Sequence, residues 1–218
     1  EYYELGARFA KWRAVIDISP STPSWTALRA NAHALARYAR LCQDAGIVPI
    51  VEPEVIMDGP DADHTIDRCY EVTEWTLKTV FDELYEARVS LEGMILKPNM
   101  VIAGQKCPTQ ASPEEVAEKT LKCLKACVPA AVPGIAFLSG GQSDEAATQH
   151  LSLMNAAGPL PWKLTFSYGR ALQAAAIKAW GGKPENVEAA QRAFAHRARM
   201  NSLAALGTWS ADQERAAA

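Results

Sequence analysis

The sequence predicts an α/β protein built on a parallel sheet, and three observations carry that prediction. Short apolar runs rich in β-branched residues alternate with longer amphipathic stretches along the 218 residues, and that alternation is the pattern of βαβ units. Helix-start and helix-stop residues stand at the junctions between them. Polar clusters collect where each apolar run ends. Two architectures fit. One is an open five-stranded doubly wound sheet, the other part of a (β/α)8 barrel, which needs eight strands and typically ~250 residues. Both bind ligands at the carboxyl ends of their strands.

The elements follow in order. The first strand is expected over 9–18 (FAKWRAVIDI), with a helix over 24–45 that Gly46 stops. The second strand, 47–52 (IVPIVE), precedes a helix over 65–87. The third, within 91–97 (LEGMILK), ends at Pro98, which has no N–H to give a ladder. Ser112 then caps a helix over 113–127, with Pro113 at its first position and Glu114 and Glu115 in its first turn. A fourth strand over 134–139 (GIAFLS) leads to a helix over 143–156. The fifth, 163–168 (KLTFSY), leads to a helix over 170–180 that ends at Gly181-Gly182. A last helix covers 185–206, and the Ala-rich end, 211–218, is expected to fray. No linker, low-complexity tract or internal repeat divides the chain, so a single domain over 1–218 is expected.

Composition removes several function classes. A net charge of −3 gives no basic footprint for nucleic acid. No run approaches the ~20 apolar residues of a membrane helix, and nothing at the start reads as a signal peptide. The five cysteines, Cys42, Cys69, Cys107, Cys123 and Cys127, are odd in number and do not form a disulfide framework. Free thiols in a reducing, cytoplasmic setting fit them. Cys123 and Cys127 lie one turn apart, but nothing completes a tetrahedral metal set. The four histidines do not cluster as ligands either. The acidic stretch Asp58–His64 lacks EF-hand spacing and reads as a solvated insertion.

The chemistry collects on one rim. Lys11 and Arg13 lie on the first strand, and Glu52-Pro53-Glu54 ends the second. Lys97 ends the third, Ser139-Gly140-Gly141-Gln142-Ser143 the fourth, and Ser167-Tyr168-Gly169-Arg170 the fifth. A lysine at the mouth of a buried strand, once it has lost its proton to its surroundings, attacks a carbonyl to form a Schiff base. An acid beside it, Glu52 or Glu54, can protonate the carbinolamine hydroxyl and expel water. Glycines 140 and 141 allow backbone N–H groups to approach an anion at a helix start, and Arg170 can grip phosphate oxygens. Lys11, Lys97 and Arg170 belong to units one, three and five, which share parity in a barrel, and are expected to face one another.

These residues resemble class I fructose-bisphosphate aldolase, the Schiff-base type. The resemblance runs in order through GARFAKWR (6–13), GIVPIVEPE (46–54), LEGMILKPNMV (91–101), FLSGGQS (137–143), TFSYGRALQ (165–173), KAWGG (178–182) and NSLAALG (201–207). It implies a TIM barrel that cleaves fructose 1,6-bisphosphate, a phosphorylated ketose, into dihydroxyacetone phosphate and glyceraldehyde 3-phosphate without metal or other cofactor. It also implies a homotetramer. By resemblance Lys97 is the Schiff-base lysine, Glu52 the general acid/base, Glu54 a neighbouring carboxylate, and Lys11 a proton-relay cation. Arg13 resembles a substrate-phosphate ligand. Ser139, Gly140, Gly141, Ser167, Gly169 and Arg170 resemble the site for the ketose C1 phosphate. The family has more than a hundred residues before the segment that matches Glu1, including an active-site aspartate and lysine. This chain is therefore expected to hold about strands 4–8 and to be incomplete as a catalyst alone. The family's terminal tyrosine has no counterpart in Ala216-Ala217-Ala218. The competing reading is an aldolase-like binding or scaffold protein without activity.

Overall fold

The computed structural model describes residues 1–215. Five strands form one parallel sheet: β1 (Phe9–Ile16), β2 (Val48–Val55), β3 (Ile95–Leu96), β4 (Gly134–Phe137) and β5 (Lys163–Phe166). Their order in the sheet is their order in the chain. A doubly wound sheet reverses direction at a switch point, and this one does not reverse. Each crossover carries a helix: α1 (Trp25–Asp44), α2 (Ile66–Glu86), α3 (Pro113–Cys127) and α4 (Asp144–Ala156). After β5 come α5 (Arg170–Trp180), α6 (Val187–Ala205) and the short α7 (Ala211–Arg215).

The helices begin where the sequence places caps. Ser24, Thr65, Ser112 and Ser143 each accept a hydrogen bond from the backbone N–H three residues on, at 3.2 Å. Along α1, Leu28, Ala32, Leu35, Ala36 and Ala39 are buried, a stripe of helical period facing the sheet. Among the described residues no helix is long and apolar enough to cross a membrane.

Register separates core from site. Trp12, Val51, Leu96, Ile135 and Leu164 are successive ladder partners across the five strands. All but the edge residue Trp12 are buried, in the core beneath the helices. One residue further on, the row reads Arg13, Glu52, Lys97, Ala136 and Thr165, with Lys97 extending β3 through its N–H to the Val51 carbonyl at 2.8 Å. Side chains alternate between faces along a strand. The charged row therefore lies on the face opposite the helices.

Three expectations about elements need correction. The third strand is shorter than 91–97: Leu91–Gly93 is a 3-10 turn and only Ile95–Leu96 joins the sheet. The cause lies in two prolines. Pro53 has no N–H for the Lys97 carbonyl, and Pro98, whose carbonyl accepts the Leu138 N–H at 3.2 Å, has no N–H to give β4, so the regular ladder ends there. The second strand, in contrast, runs past Glu52 to Val55, which makes Glu54 a strand residue rather than a loop acid. Asn99 supports this extension. Its buried side-chain oxygen accepts the Val55 N–H at 3.1 Å, while its amide donates to Thr73 Oγ1 and the Met100 carbonyl. Finally, residues 211–215 form α7, tied by Glu214 to Arg197 and to Trp209 Nε1, whereas 216–218 lie outside the described residues.

The stretch Asp58–His64 is solvated only in part. Pro60, Asp61 and Asp63 are exposed, whereas Ala62 and His64 are buried. Its backbone pairs with the loop after β3 through Gly104 N to His64 O, Gln105 N to Met57 O and Lys106 N to Ala62 O, at 2.8–2.9 Å. These bonds satisfy groups that a free loop would leave to water.

Candidate active site

The centre of the charged face is one carboxylate between two ammonium groups. Glu52 is 3% exposed on β2. Its Oε1 lies 3.0 Å from Lys97 Nζ and its Oε2 lies 2.9 Å from Lys11 Nζ. The Lys97 side chain is 12% exposed, that of Lys11 42%. Burying a carboxylate demands a compensating charge, and here both neighbouring strands supply one. The arrangement follows from register: Lys11, Glu52 and Lys97 project from the same face of adjacent strands.

A second pair lies beside it. Arg13 Nε donates to Glu54 Oε2, joining β1 to β2 one step nearer the strand ends. That hydrogen bond, aided by the charges of Glu54, Glu52 and Asp58, raises the Arg13 guanidinium above its usual value against a smaller desolvation effect. The two carboxylates thus hold three cations together on the open face of the sheet.

The glycine turn after β4 and the start of α5 form a third feature. Gly140 and Gly141 have φ of 55° and 74°, left-handed values that favour glycine. A Cβ on Gly141 would stand 2.7 Å from Asp58 Oδ2 and 2.6 Å from Gln105 Nε2. Gln142 closes the turn, its backbone and side-chain N–H groups both donating to the Ser139 carbonyl at 3.1 and 2.9 Å. Ser167 N donates to the Phe137 carbonyl at 2.9 Å, and Tyr168 OH to the Ala147 carbonyl at 2.9 Å, which moors the segment before α5.

The two helix starts near this turn differ in charge and capping. At α4, Ser143 already caps the end, and Asp144 and Glu145 fill the first turn with negative charge. At α5, Gly169 provides no side-chain cap, no acid occupies the first turn, and Arg170 is the first residue. The first N–H groups of a helix lack intrahelical acceptors, and at α5 no side-chain cap accepts from them. Arg170 belongs to this helix, not to a strand. It pairs with Asp58. Lys11 and Lys97 meet, but through Glu52 on the strand between them.

Two contributors were not legible in the sequence. His150, 8% exposed on α4, places its Nδ1 2.6 Å from Gln142 Oε1 and so orients the side chain that closes the glycine turn. Burial pushes its imidazole down to about 4, which keeps the ring neutral at pH 7. Asp58 is the other, through its pairing with Arg170. Among the described residues no group of three or more His, Cys, Asp or Glu is arranged to hold a metal ion.

Comparison with known proteins places this geometry in context. The family model for class-I fructose-bisphosphate aldolase matches residues 1–218. A probable fructose-bisphosphate aldolase class 1 of Xanthomonas campestris pv. campestris is 61% identical over 210 residues, covering 96% of this chain and 62% of the relative. Fructose-bisphosphate aldolase B of Gallus gallus is 56% identical over 210 residues, covering 96% and 57%. The solved structure of fructose-bisphosphate aldolase from Plasmodium falciparum, in complex with TRAP and a small-molecule inhibitor, superposes with a TM-score of 0.92 at 49% identity. That match covers 96% of this chain and 60% of the other. The chain spans about three fifths of the length of these curated relatives.

Proposed function

Because this chain belongs to the class I fructose-bisphosphate aldolase family, we propose that it is the Schiff-base-bearing part of an enzyme that cleaves fructose 1,6-bisphosphate. In this reading its strands are five consecutive members, four to eight, of an eight-stranded barrel. Unreversed strand order supports that, as do the two sheet edges, β1 and β5, which have no further strand partner among the described residues. Unpaired edges are a liability that a closed barrel removes.

The single observation that carries the chemistry is Glu52 in contact with both Lys97 and Lys11. Lys97 passes a proton to Glu52 and its neutral amine attacks the ketose C2 carbonyl, forming a carbinolamine. Glu52, now a carboxylic acid, returns a proton to the carbinolamine hydroxyl, which leaves as water. The resulting iminium is the electron sink. As the C4 hydroxyl gives its proton to the Glu52 carboxylate, the C3–C4 bonding pair moves toward the iminium and the aldehyde departs. The enamine left on Lys97 takes a proton at C3, and water hydrolyses the imine to release the ketone phosphate. Lys11 balances the charge on Glu52 as it cycles, and Glu54 holds Arg13 at the rim for the distal phosphate. Ser139, Gly140, Gly141, Ser167, Gly169 and Arg170 hold the C1 phosphate through the free end of α5 and the guanidinium fork.

The test is Glu52→Gln in the full-length enzyme. The amide keeps the shape but cannot shuttle protons. We expect kcat to fall by about a hundredfold to ten-thousandfold, with a much smaller change in KM. A variant that turns over at close to the wild-type rate would remove Glu52 from the reaction.

A further inference from the structure

Arg170 has a partner within its own chain. Its guanidinium donates to Asp58 Oδ2. Asp58 lies three residues beyond β2, in a loop anchored on both sides. The Met57 carbonyl accepts the Gln105 N–H at 2.9 Å, and the Gly59 carbonyl accepts the Ala62 N–H at 3.2 Å. The Asp58 side chain is 19% exposed and that of Arg170 68%. The carboxylate is therefore the fixed member of the pair and the arginine the movable one.

The same carboxylate abuts the glycine turn. Asp58 Oδ2 would lie 2.7 Å and its Cβ 2.8 Å from a Cβ on Gly141. Gln105, next to this loop, donates to the Gly141 carbonyl at 2.6 Å. The glycine turn, the arginine and a carboxylate thus converge on one spot. A carboxylate oxygen that accepts from guanidinium is the same acceptor chemistry as a phosphate oxygen.

We propose that Asp58 is a resident competitor in the anion cradle: it holds Arg170 when no phosphate is present and must give it up for phosphate to bind. This rests on the reading of Arg170 and the glycine turn as the C1-phosphate site. A phosphate dianion takes the guanidinium from Asp58 because it offers more charge and more acceptor oxygens. It also meets the negative charge that Asp58 retains beside the turn. Both effects weaken phosphate binding, and both disappear when the carboxylate becomes an amide. Asp58 is thus a specificity-determining residue that sets the affinity threshold for anions, while Arg170 is the group that touches them. The groups that feel this charge extend to Arg13, whose guanidinium Asp58 helps to raise.

The experiment measures inorganic phosphate binding to the full-length enzyme by titration calorimetry. The variants are Asp58→Asn, Asp58→Ser, Arg170→Ala and the Asp58→Asn/Arg170→Ala double variant. Exposed and partly exposed ion pairs contribute little individually. We therefore expect Asp58→Asn to bind phosphate about three- to tenfold more tightly, and Asp58→Ser to change in the same direction. The gain should shrink as salt is raised, because screening weakens both the pairing and the repulsion. In the Arg170→Ala background most of the gain should vanish, since the competition acts through that guanidinium. Unchanged or weaker binding in both Asp58 variants, with Arg170→Ala still impaired, would overturn the proposal alone and make Asp58 an orienting partner of Arg170. Phosphate affinity untouched by Arg170→Ala would overturn the cradle reading and the proposal with it.

Discussion

Acid should loosen this fold in part through His150. His150 is buried on α4 and bonded to Gln142, and desolvation takes its imidazole from 6.5 down to about 4, with only Glu114 pulling the other way. A group whose folded value is depressed binds fewer protons in the folded state than in the unfolded state between those two values. Stability is therefore intact above about pH 6.5, falls as pH drops, and levels off below about pH 4. Each unit of separation is worth about 1.4 kcal/mol, so the full loss is about 3 kcal/mol, of which about 2 kcal/mol has gone by pH 5. The perturbation is His150→Gln, which removes the titration and keeps a polar side chain near Gln142. The assay is urea unfolding followed by tryptophan fluorescence from pH 7 to pH 4.5, on wild type and variant. The difference between the two should narrow by about 2 kcal/mol on acidification to pH 5. Parallel pH profiles would refute the reasoning, because they would show that His150 titrates alike in both states.

Arg170→Ala should weaken apparent affinity for the phosphorylated ketose about tenfold to a hundredfold, the range of a charge-assisted hydrogen bond, in steady-state KM measurements. A non-phosphorylated ketose should be almost indifferent, and equal losses for both would assign Arg170 a structural role. Gly140→Ala should cost about 1–3 kcal/mol in chemical denaturation, because the position is left-handed and the new methyl meets Met57. The same variant should also lose phosphate affinity.

The strand–helix rhythm was readable because each element carries its own signal. Caps such as Ser112-Pro113 and stops such as Gly181 act within a few residues, and the buried stripe of α1 repeats with helical period. The lysine and glutamate core was readable for a related reason. Once strands are parallel and adjacent, residues at their carboxyl ends share a rim. What was not readable depends on register and on contacts far apart in sequence. Pro53 comes beside the Lys97 carbonyl only after β2 and β3 align, and its missing N–H helps to shorten β3, while the Val55 N–H goes to Asn99. Glu54 reads as a loop acid because Pro53 looks like a terminator, yet β1 keeps β2 extended beyond it. Arg170 reads as a free phosphate ligand because its partner, Asp58, is 112 residues away. The acidic stretch reads as wholly solvated because the partners of its buried part lie in the loop at 104–106. His150 looks like a helix-surface residue until α4 is seen against the turn that it braces.

The central claim is that Lys97, held by Glu52, is the nucleophile. Its most direct test is reductive trapping in the full-length enzyme: incubation with dihydroxyacetone phosphate and sodium borohydride, proteolysis, and mass spectrometry of the lysine peptides. A Schiff base reduced in place leaves a stable secondary amine. The account expects that added mass on the peptide that contains Lys97, and its loss in Lys97→Met. A label on Lys11 instead, or full activity with no trapped adduct, would contradict it.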